Sequence, residues 1–393
     1  MSGQADVRLD FDPYDPEWIE DPYPFYRRLR DEEPAFWSEK FDMRVLTRYD
    51  DVQAASRDWQ TYTSTQGLDL DATSDEFLGM DFIGDDPPRH DVIRNMVRQP
   101  FSSGAIKTLE PRIRTLAQQL LDQVEPGTPV NFQQQFAQAL TTSIIGHILG
   151  IPSADFAQLT EWIVAFLART PGELTISEHS IHAAQELRDY LTKVALERRM
   201  APTGDLISTI AGMEVDGNRL TDEQIGALCF FLFNAGVDTT ATLITNTLYW
   251  LQEHPDQRQL VVEDPTRIPA AVEECLRYDA PLQHLLRVTT NDIELHGEDA
   301  PSGTRVMLVF GAANRDERVF ENAERFDILR QRKRHFAFGE GVHFCLGAHL
   351  ARLETRIALE LIMEQIPDYQ IVSPLQRIIK ENQRGFSVLT LIR

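Results

Sequence analysis

The chain has 393 residues, 42% of them apolar and 25% charged, and its 38 Lys and Arg against 61 Asp and Glu give a formal net charge of −23. That acidity excludes a binder of bulk nucleic acid, whose affinity comes from cations displacing counterions from phosphate, and the apolar share is that of a packed globular protein. Three cysteines, Cys229, Cys275 and Cys345, make no disulfide framework and no CxxC pair, so a reducing, cytoplasmic setting is expected.

The opening stretch MSGQADVRLDFDPYDPEWIEDP carries neither a secretory signal nor an anchor helix. Residues 35–37 and 43–47 predict a hairpin, which leads into a helix over 49–57. From residue 88, apolar spacing of three and four predicts helices over 88–98, 105–124, 132–149, 154–168, 177–199 and 221–253. Capping signals stand at Asp86 and at Thr221 with Gln224. A short helix opens at Pro269. Strand-like pieces return at 293–296, 305–309, 369–372 and 387–392. No repeat, low-complexity tract or linker marks a boundary, so one domain over residues 1–393 is expected. Its fold class is mainly α with minor β (α+β), with a small β-rich part within about residues 1–60 and the helical bulk thereafter. Residues 225–251 are apolar enough to span a membrane, but Asn234, Asp238, Thr239, Thr240, Thr242, Thr245 and Asn246 in the middle favour a buried helix of a soluble fold with no membrane contact.

The most informative stretch is FAFGEGVHFCL (336–346). Glycines 339, 341 and 347 crowd Cys345, freeing the backbone to approach a flat ligand and aim N–H groups at one sulfur. Leu346, Leu350, Leu353, Ile357 and Leu361 predict a helix beginning at the cysteine, which would bias its thiol toward thiolate. Three other readings compete with a metal-ligating thiolate. They are a zinc site from His343, Cys345 and His349, a buried structural cysteine, the default for Cys229 and Cys275, and a nucleophile, for which no base is held nearby.

FGEGVHFCLG resembles the haem-binding loop of cytochrome P-450 monooxygenases, FGxGxHxCLG, at every specified position. The resemblance implies the cytochrome P-450 fold, with a long central distal helix and a haem-thiolate loop. Cys345 would be the proximal thiolate on the iron of haem b, with Phe338, His343 and Gly347 of the loop also against the cofactor. EECLR (273–277) resembles the family's ExxR pair, Glu274 and Arg277, and ANRDERVFENAERFD (313–327) its meander, with Arg325 as third member although Ala323 stands where proline is frequent. These three would brace the loop rather than act in catalysis. His90, Arg94 and Arg98 recur at i, i+4 and i+8. A solvated basic stripe is one reading, and haem propionates bound by His90, Arg94, Arg287 and His343 is the one the family implies. AGVDTT (235–240) is costly in a helix centre. It is either a small-residue packing contact or, by resemblance, the oxygen-binding groove, with Ala235 and Gly236 leaving room for O2, Thr239 hydrogen-bonding it and Asp238 relaying protons.

The resemblance covers essentially the whole chain and implies a monooxygenase that inserts one oxygen atom from O2 into a small-to-medium hydrophobic molecule by hydroxylation or O-demethylation. The alternative is a non-oxygenating haem-thiolate protein, either a coupling catalyst or a ligand sensor. No flavin or iron–sulfur module is recognisable, so electrons would come from a separate ferredoxin, docking at Arg330, Arg332, Lys333 and Arg334. By family topology the substrate pocket would be walled by residues 64–84, 163–181, Phe231, Leu232, Leu282, Leu285 and Phe386. Gln283 and His284 either point into the pocket or turn away to satisfy backbone groups.

Overall fold

The early segment forms its hairpin, β1 (Ala35–Ser38) against β2 (Met43–Leu46), followed by helix α1 (Tyr49–Arg57). The structure, a computed structural model, describes residues 9–70, 82–169, 176–215 and 217–393. Helix α2 (Arg89–Val97) lacks the cap expected from Asp86, because that carboxylate accepts from the Thr63 hydroxyl and the Ser64 N–H instead. The helix expected over 105–124 is two pieces, Ser103–Thr108 and α3 (Glu110–Leu121). Pro111 has no N–H for a continuing ladder and suits a first turn. The next run opens as a π-helical segment, Gln133–Gln138, before α4 (Ala139–Leu149). Helices α5 (Phe156–Leu167) and α6 (Glu178–Met200) then lead to α7 (Asp222–Glu253).

Helix α7 opens with a complete capping box: Thr221 Oγ1 accepts from the Gln224 N–H at 3.2 Å, and Gln224 Oε1 from the Thr221 N–H at 3.0 Å. It is long and apolar enough to cross a membrane, but 72% of its most apolar window is buried inside the fold, against α4, α6 and the π segment. Helix α8 (Ile268–Tyr278) and strand β3 (His284–Thr289) follow, then β4 (Arg305–Val309). The helix after the cysteine, α9 (Ala348–Gln365), starts three residues later than its apolar spacing suggested, with Gly347 as its N-cap. Strands β5 (Gln370–Arg377) and β6 (Phe386–Ile392) close the chain. The larger sheet runs β1, β2, β4, β3 and Tyr62–Thr63, antiparallel except that β2 and β4 are parallel. Helices thus dominate, and the sheets flank them.

Helix α8 presents two adjacent carboxylates to the chain that carries Cys345. Glu274, 5% exposed, binds Arg277 through both oxygens at 2.8 and 2.9 Å and accepts from the Asp327 N–H at 2.9 Å and Arg330 Nε at 3.2 Å. Arg277 Nη1 also donates to the carbonyls of Asn314 and Ala323. The third guanidinium is therefore that of Arg330, not Arg325. Arg325 enters only through its carbonyl, which accepts from Arg277 and Arg330, because the turn after Phe326 brings Arg330 back over Glu274. Glu273, the neighbouring residue, holds His335 at 3.3 Å and takes a bidentate bond from Arg352 at 2.6 and 3.0 Å, so it ties both sides of the cysteine loop.

Removing one partner of a buried ion pair strands the other. Arg277→Ala should cost about 3–5 kcal/mol of stability and Arg277→Lys less, a difference that guanidinium unfolding curves on the two variants will resolve.

Candidate functional site

The loop before α9 is shaped by its glycines. Gly341 has φ +71°, and a Cβ there would run into the Ser56 carbonyl, so only glycine lets the loop lie on α1. Gly339, at φ +64°, reverses the chain so that the Cys345 N–H donates to the Phe338 carbonyl at 2.8 Å. The Cys345 sulfur consequently points into a cavity, with the Gly347 N–H aimed at it. Burial pushes this thiol up, opposed by the Gly347 N–H and by the fields of Arg94 and Arg352. The start of α9 contributes through that one N–H.

The cavity lies between the loop and the middle of α7. Phe338, Gly339, His343, Cys345, Gly347 and Ala351 form one wall; Ala235, Gly236, Thr239, Thr240 and Leu243 form the other. Phe231, Leu232, Leu282 and Leu285 line it as expected, Phe82 comes from the expected wall at 64–84, and Ile145 and Phe101, which no local sequence signal marks, join them. Phe82 meets Phe231 edge-on at 5.2 Å, and its ring lies under the Arg94 guanidinium at 5.8 Å. Gly236 serves two ends, since a Cβ there would sit 2.8 Å from Ile145 of α4. It both opens the cavity and admits the neighbouring helix.

Thr239 donates its hydroxyl to the Ala235 carbonyl at 3.0 Å, leaving its oxygen as an acceptor on the cavity wall. Asp238 is not among the cavity-lining residues. It is 5% exposed on the flank of α7 and accepts from Gln138 Nε2 at 3.4 Å. Burial pushes its carboxyl up, against the Lys380 field and the Gln138 bond.

At one edge Arg94 and His343 line the cavity, with His90 and Arg287 close behind them. His90 and His343 meet edge-on at 4.7 Å, His90 Nδ1 lies 2.8 Å from Asp91, and His343 Nε2 lies 3.1 Å from Ser64 Oγ. His90 Nε2 and His343 Nδ1 are buried with no hydrogen-bond partner. Burial, then the fields of Arg287, His90 and Arg94, push the His343 imidazole down to about 2. Burial pushes Arg287 down to about 10, with Asp86 opposing, and Arg94 donates to the Phe344 carbonyl. Buried cations and idle ring nitrogens of this kind want anions. Arg98 is exposed at the end of α2 and does not join them.

A mainly apolar cavity with a sulfur in its wall and N–H donors at one edge suits iron protoporphyrin with its two carboxylates, so the residues present fit that group. The zinc reading finds no support: among the described residues no three His, Cys, Asp or Glu side chains gather to hold a metal.

Three expected pocket residues lie elsewhere. Gln283 is buried and donates to the Ala280 carbonyl at 2.7 Å, and its own N–H is taken by the Asn382 carbonyl at 2.8 Å. His284 faces Glu381 at 3.4 Å and Phe11 at 5.5 Å, because strand alternation puts His284 and Leu286 on the face opposite Leu285 and Arg287. Phe386 is buried against Tyr249 at 4.8 Å, beneath the Arg377 guanidinium at 4.3 Å. The expected walls at 64–84 and 163–181 fall partly outside the described residues, at 71–81 and 170–175. The basic run divides as well. Arg330 is drawn inward onto Glu274, Lys333 donates to the Val319 carbonyl, and Arg334 shares Glu340 of the cysteine loop with Arg57, while Arg332 is exposed.

A family model described as Cytochrome P450, here written cytochrome P-450, matches residues 25–367. The chain is 36% identical to the putative cytochrome P-450 123 of Mycobacterium tuberculosis, over 98% of each chain. Among solved structures it is similar to HmtN, a post-tailoring hydroxylase involved in himastatin biosynthesis, with TM-score 0.85, 32% identity and 95% and 97% of the two chains covered. It is also similar to CYP109E1 from Bacillus megaterium in complex with testosterone, with TM-score 0.87, 30% identity and 95% and 98% covered.

The clamp on the cysteine loop has a pH signature. Burial raises the Glu273 carboxyl, but hydrogen bonds from His335 and Arg352 overcome it and hold it down at about 2, against 4.5 for an ordinary glutamate. The stability it adds is therefore complete above pH 4.5 and is lost as pH falls toward 2. Unfolding of the wild type and Glu273→Gln should differ by up to about 3 kcal/mol near neutrality and by roughly 2 at pH 3.5.

Proposed function

Because the chain belongs to the cytochrome P-450 family, we propose that it hydroxylates or O-demethylates a small-to-medium hydrophobic molecule held between α7 and the cysteine loop. Membership makes it a haem-thiolate monooxygenase that binds haem b through a cysteine thiolate and uses O2, a small organic substrate and a redox partner. One oxygen atom enters a substrate bond to hydrogen and the other leaves as water, with two electrons and two protons consumed. When bound, haem supplies the activation of O2; the remaining work falls to the chain's own residues.

Cys345 is the ligand in this reading, since its sulfur opens to the cavity while Cys229 and Cys275 are wholly buried in α7 and α8, with burial pushing the Cys229 thiol up to about 12. His90, Arg94, Arg287 and His343 pair with the propionates, and Phe338, Ala235 and Gly347 pack against the ring. Thr239 holds a proton-accepting oxygen at the reacting face, and Asp238, one residue away in the interior, supplies protons to it. Residues 1–393 act as one haem domain in the cytoplasm.

The observation that carries the substrate class is the wall itself. Phe231, Leu232, Leu243, Leu282 and Leu285 surround Thr239 with no carboxylate among the described lining residues. HmtN is described as a hydroxylase and CYP109E1 holds testosterone, which supports oxidation of a neutral apolar skeleton here. Electrons come from a separate acidic ferredoxin that meets Arg332, Lys333, Arg334 and Arg57 beside the cysteine loop.

Titration of the ferric protein with neutral terpenes, steroids, phenol ethers and macrocycles should give a low-to-high-spin optical shift with one class. Isotopically labelled O2 should then appear in its product. With that substrate, Thr239→Ala should keep consuming electrons while product per electron falls about tenfold and hydrogen peroxide rises; product yield equal to wild type would remove Thr239 from the proton path. Reversing Arg332 and Lys333 to Glu should slow reduction by a ferredoxin about tenfold at low salt, and unchanged kinetics would place docking elsewhere.

A further inference from the structure

The π segment Gln133–Gln138 runs against the flank of α7 that faces away from the cavity. Two of its residues reach across. Gln133 Oε1 accepts from Thr245 Oγ1 at 2.7 Å, and Gln138 Nε2 donates to Asp238 Oδ1 at 3.4 Å, both pairs buried. On α7 the targets are seven residues apart, two turns along one face. On the π segment the two glutamines are five apart. In an α-helix that spacing would turn them about 140° from each other, whereas the wider i→i+5 turn of a π-helix returns residues five apart toward one face. The irregular turn is what lets both side chains meet the same stripe of α7.

We propose that Gln138 is a positioning residue for the monooxygenase reaction: presented by the π turn, its amide anchors the Asp238 carboxyl on the flank of α7 turned from the cavity, so that protons reach the Thr239 side from a carboxyl fixed there. The inference rests on the reading of Asp238 as the proton supplier. Gln138 is 8% exposed and Asp238 5%, so water competes little for the bond. Among the described residues, Lys380 is the one charged group whose field reaches Asp238. An amide donor stabilises the ionised carboxyl, and burial opposes it.

The test is an infrared titration of the haem-loaded ferric protein, following the protonated Asp238 carbonyl band, which is assigned by its loss in Asp238→Asn. In Gln138→Met, which keeps volume and removes the donor, the band should move to higher wavenumber and its midpoint should rise by roughly one pH unit. Gln133→Met, which cuts the second clamp on the same flank, should leave both where they are. An unmoved midpoint in Gln138→Met, or an equal displacement in Gln133→Met, overturns the proposal. If Gln138→Met fails to take up haem, Gln138→Glu decides by the same readout, since a second carboxyl at that reach must raise the midpoint. Failure of the premise is visible separately: Asp238→Asn retaining full product per electron removes the relay role, whatever the infrared titration says about the anchor.

Discussion

The site depends on two neighbouring carboxylates, Glu273 and Glu274, that pin an irregular chain to a regular helix. The stretch from Asn314 to Gly347 is joined internally by scattered turn bonds, such as that from the Cys345 N–H to the Phe338 carbonyl, and these shape the loop without fixing it to the helices. Glu274 supplies anchorage at Asp327 and Arg330, and through Arg277 at the carbonyls of Asn314, Ala323 and Arg325. Glu273 supplies it at His335 before the cysteine and Arg352 after it. Arg352 in turn lies over the Phe338 ring at 4.4 Å, so the clamp reaches the cavity wall. Burial makes these bonds strong and makes their loss costly for the same reason.

Helix α7 is organised by a division of labour around its circumference. One side shows small residues and Thr239 to the cavity; another carries Asp238 and Thr245 toward the π segment; Asn246 reaches the carbonyls of Asp279 and Arg384. Every such group would be a penalty in a helix buried only among apolar neighbours. Asp238, Thr245 and Asn246 meet partners from other elements and Thr239 turns its hydroxyl back onto the Ala235 carbonyl, which is how a stretch with the hydropathy of a membrane span serves as the centre of a globular core.

What was legible in the sequence is what chemistry keeps local. The cysteine loop, the Glu274 and Arg277 pair and the AGVDTT segment are short strings whose residues act within a turn or two of one another, and the capping box of α7 is of the same kind. What escaped was set by tertiary geometry. Arg325 and Arg330 are both plausible partners for Glu274 by spacing, and only the turn that carries Arg330 inward decides between them. Strand parity settled the open orientation of His284 by turning it to the face opposite Leu285 and Arg287. Glu273 carries no signal of its own within EECLR because its partners His335 and Arg352 are distant in sequence. Phe101 and Ile145 reach the cavity from other elements, and Gln138 owes its reach to a π turn that has no compositional mark.

The parallel pairing of β2 with β4 ties Met43 to Arg305 and Leu46 to Leu308. During synthesis the hairpin at residues 35–46 therefore emerges long before the strand that will cover its edge exists. For most of the time on the ribosome it is an uncapped β edge, able to pair with whatever strand it meets. The Arg44 and Lys40 charges on and beside it, before Arg44 is taken up by Glu298, are then a form of protection for the nascent chain.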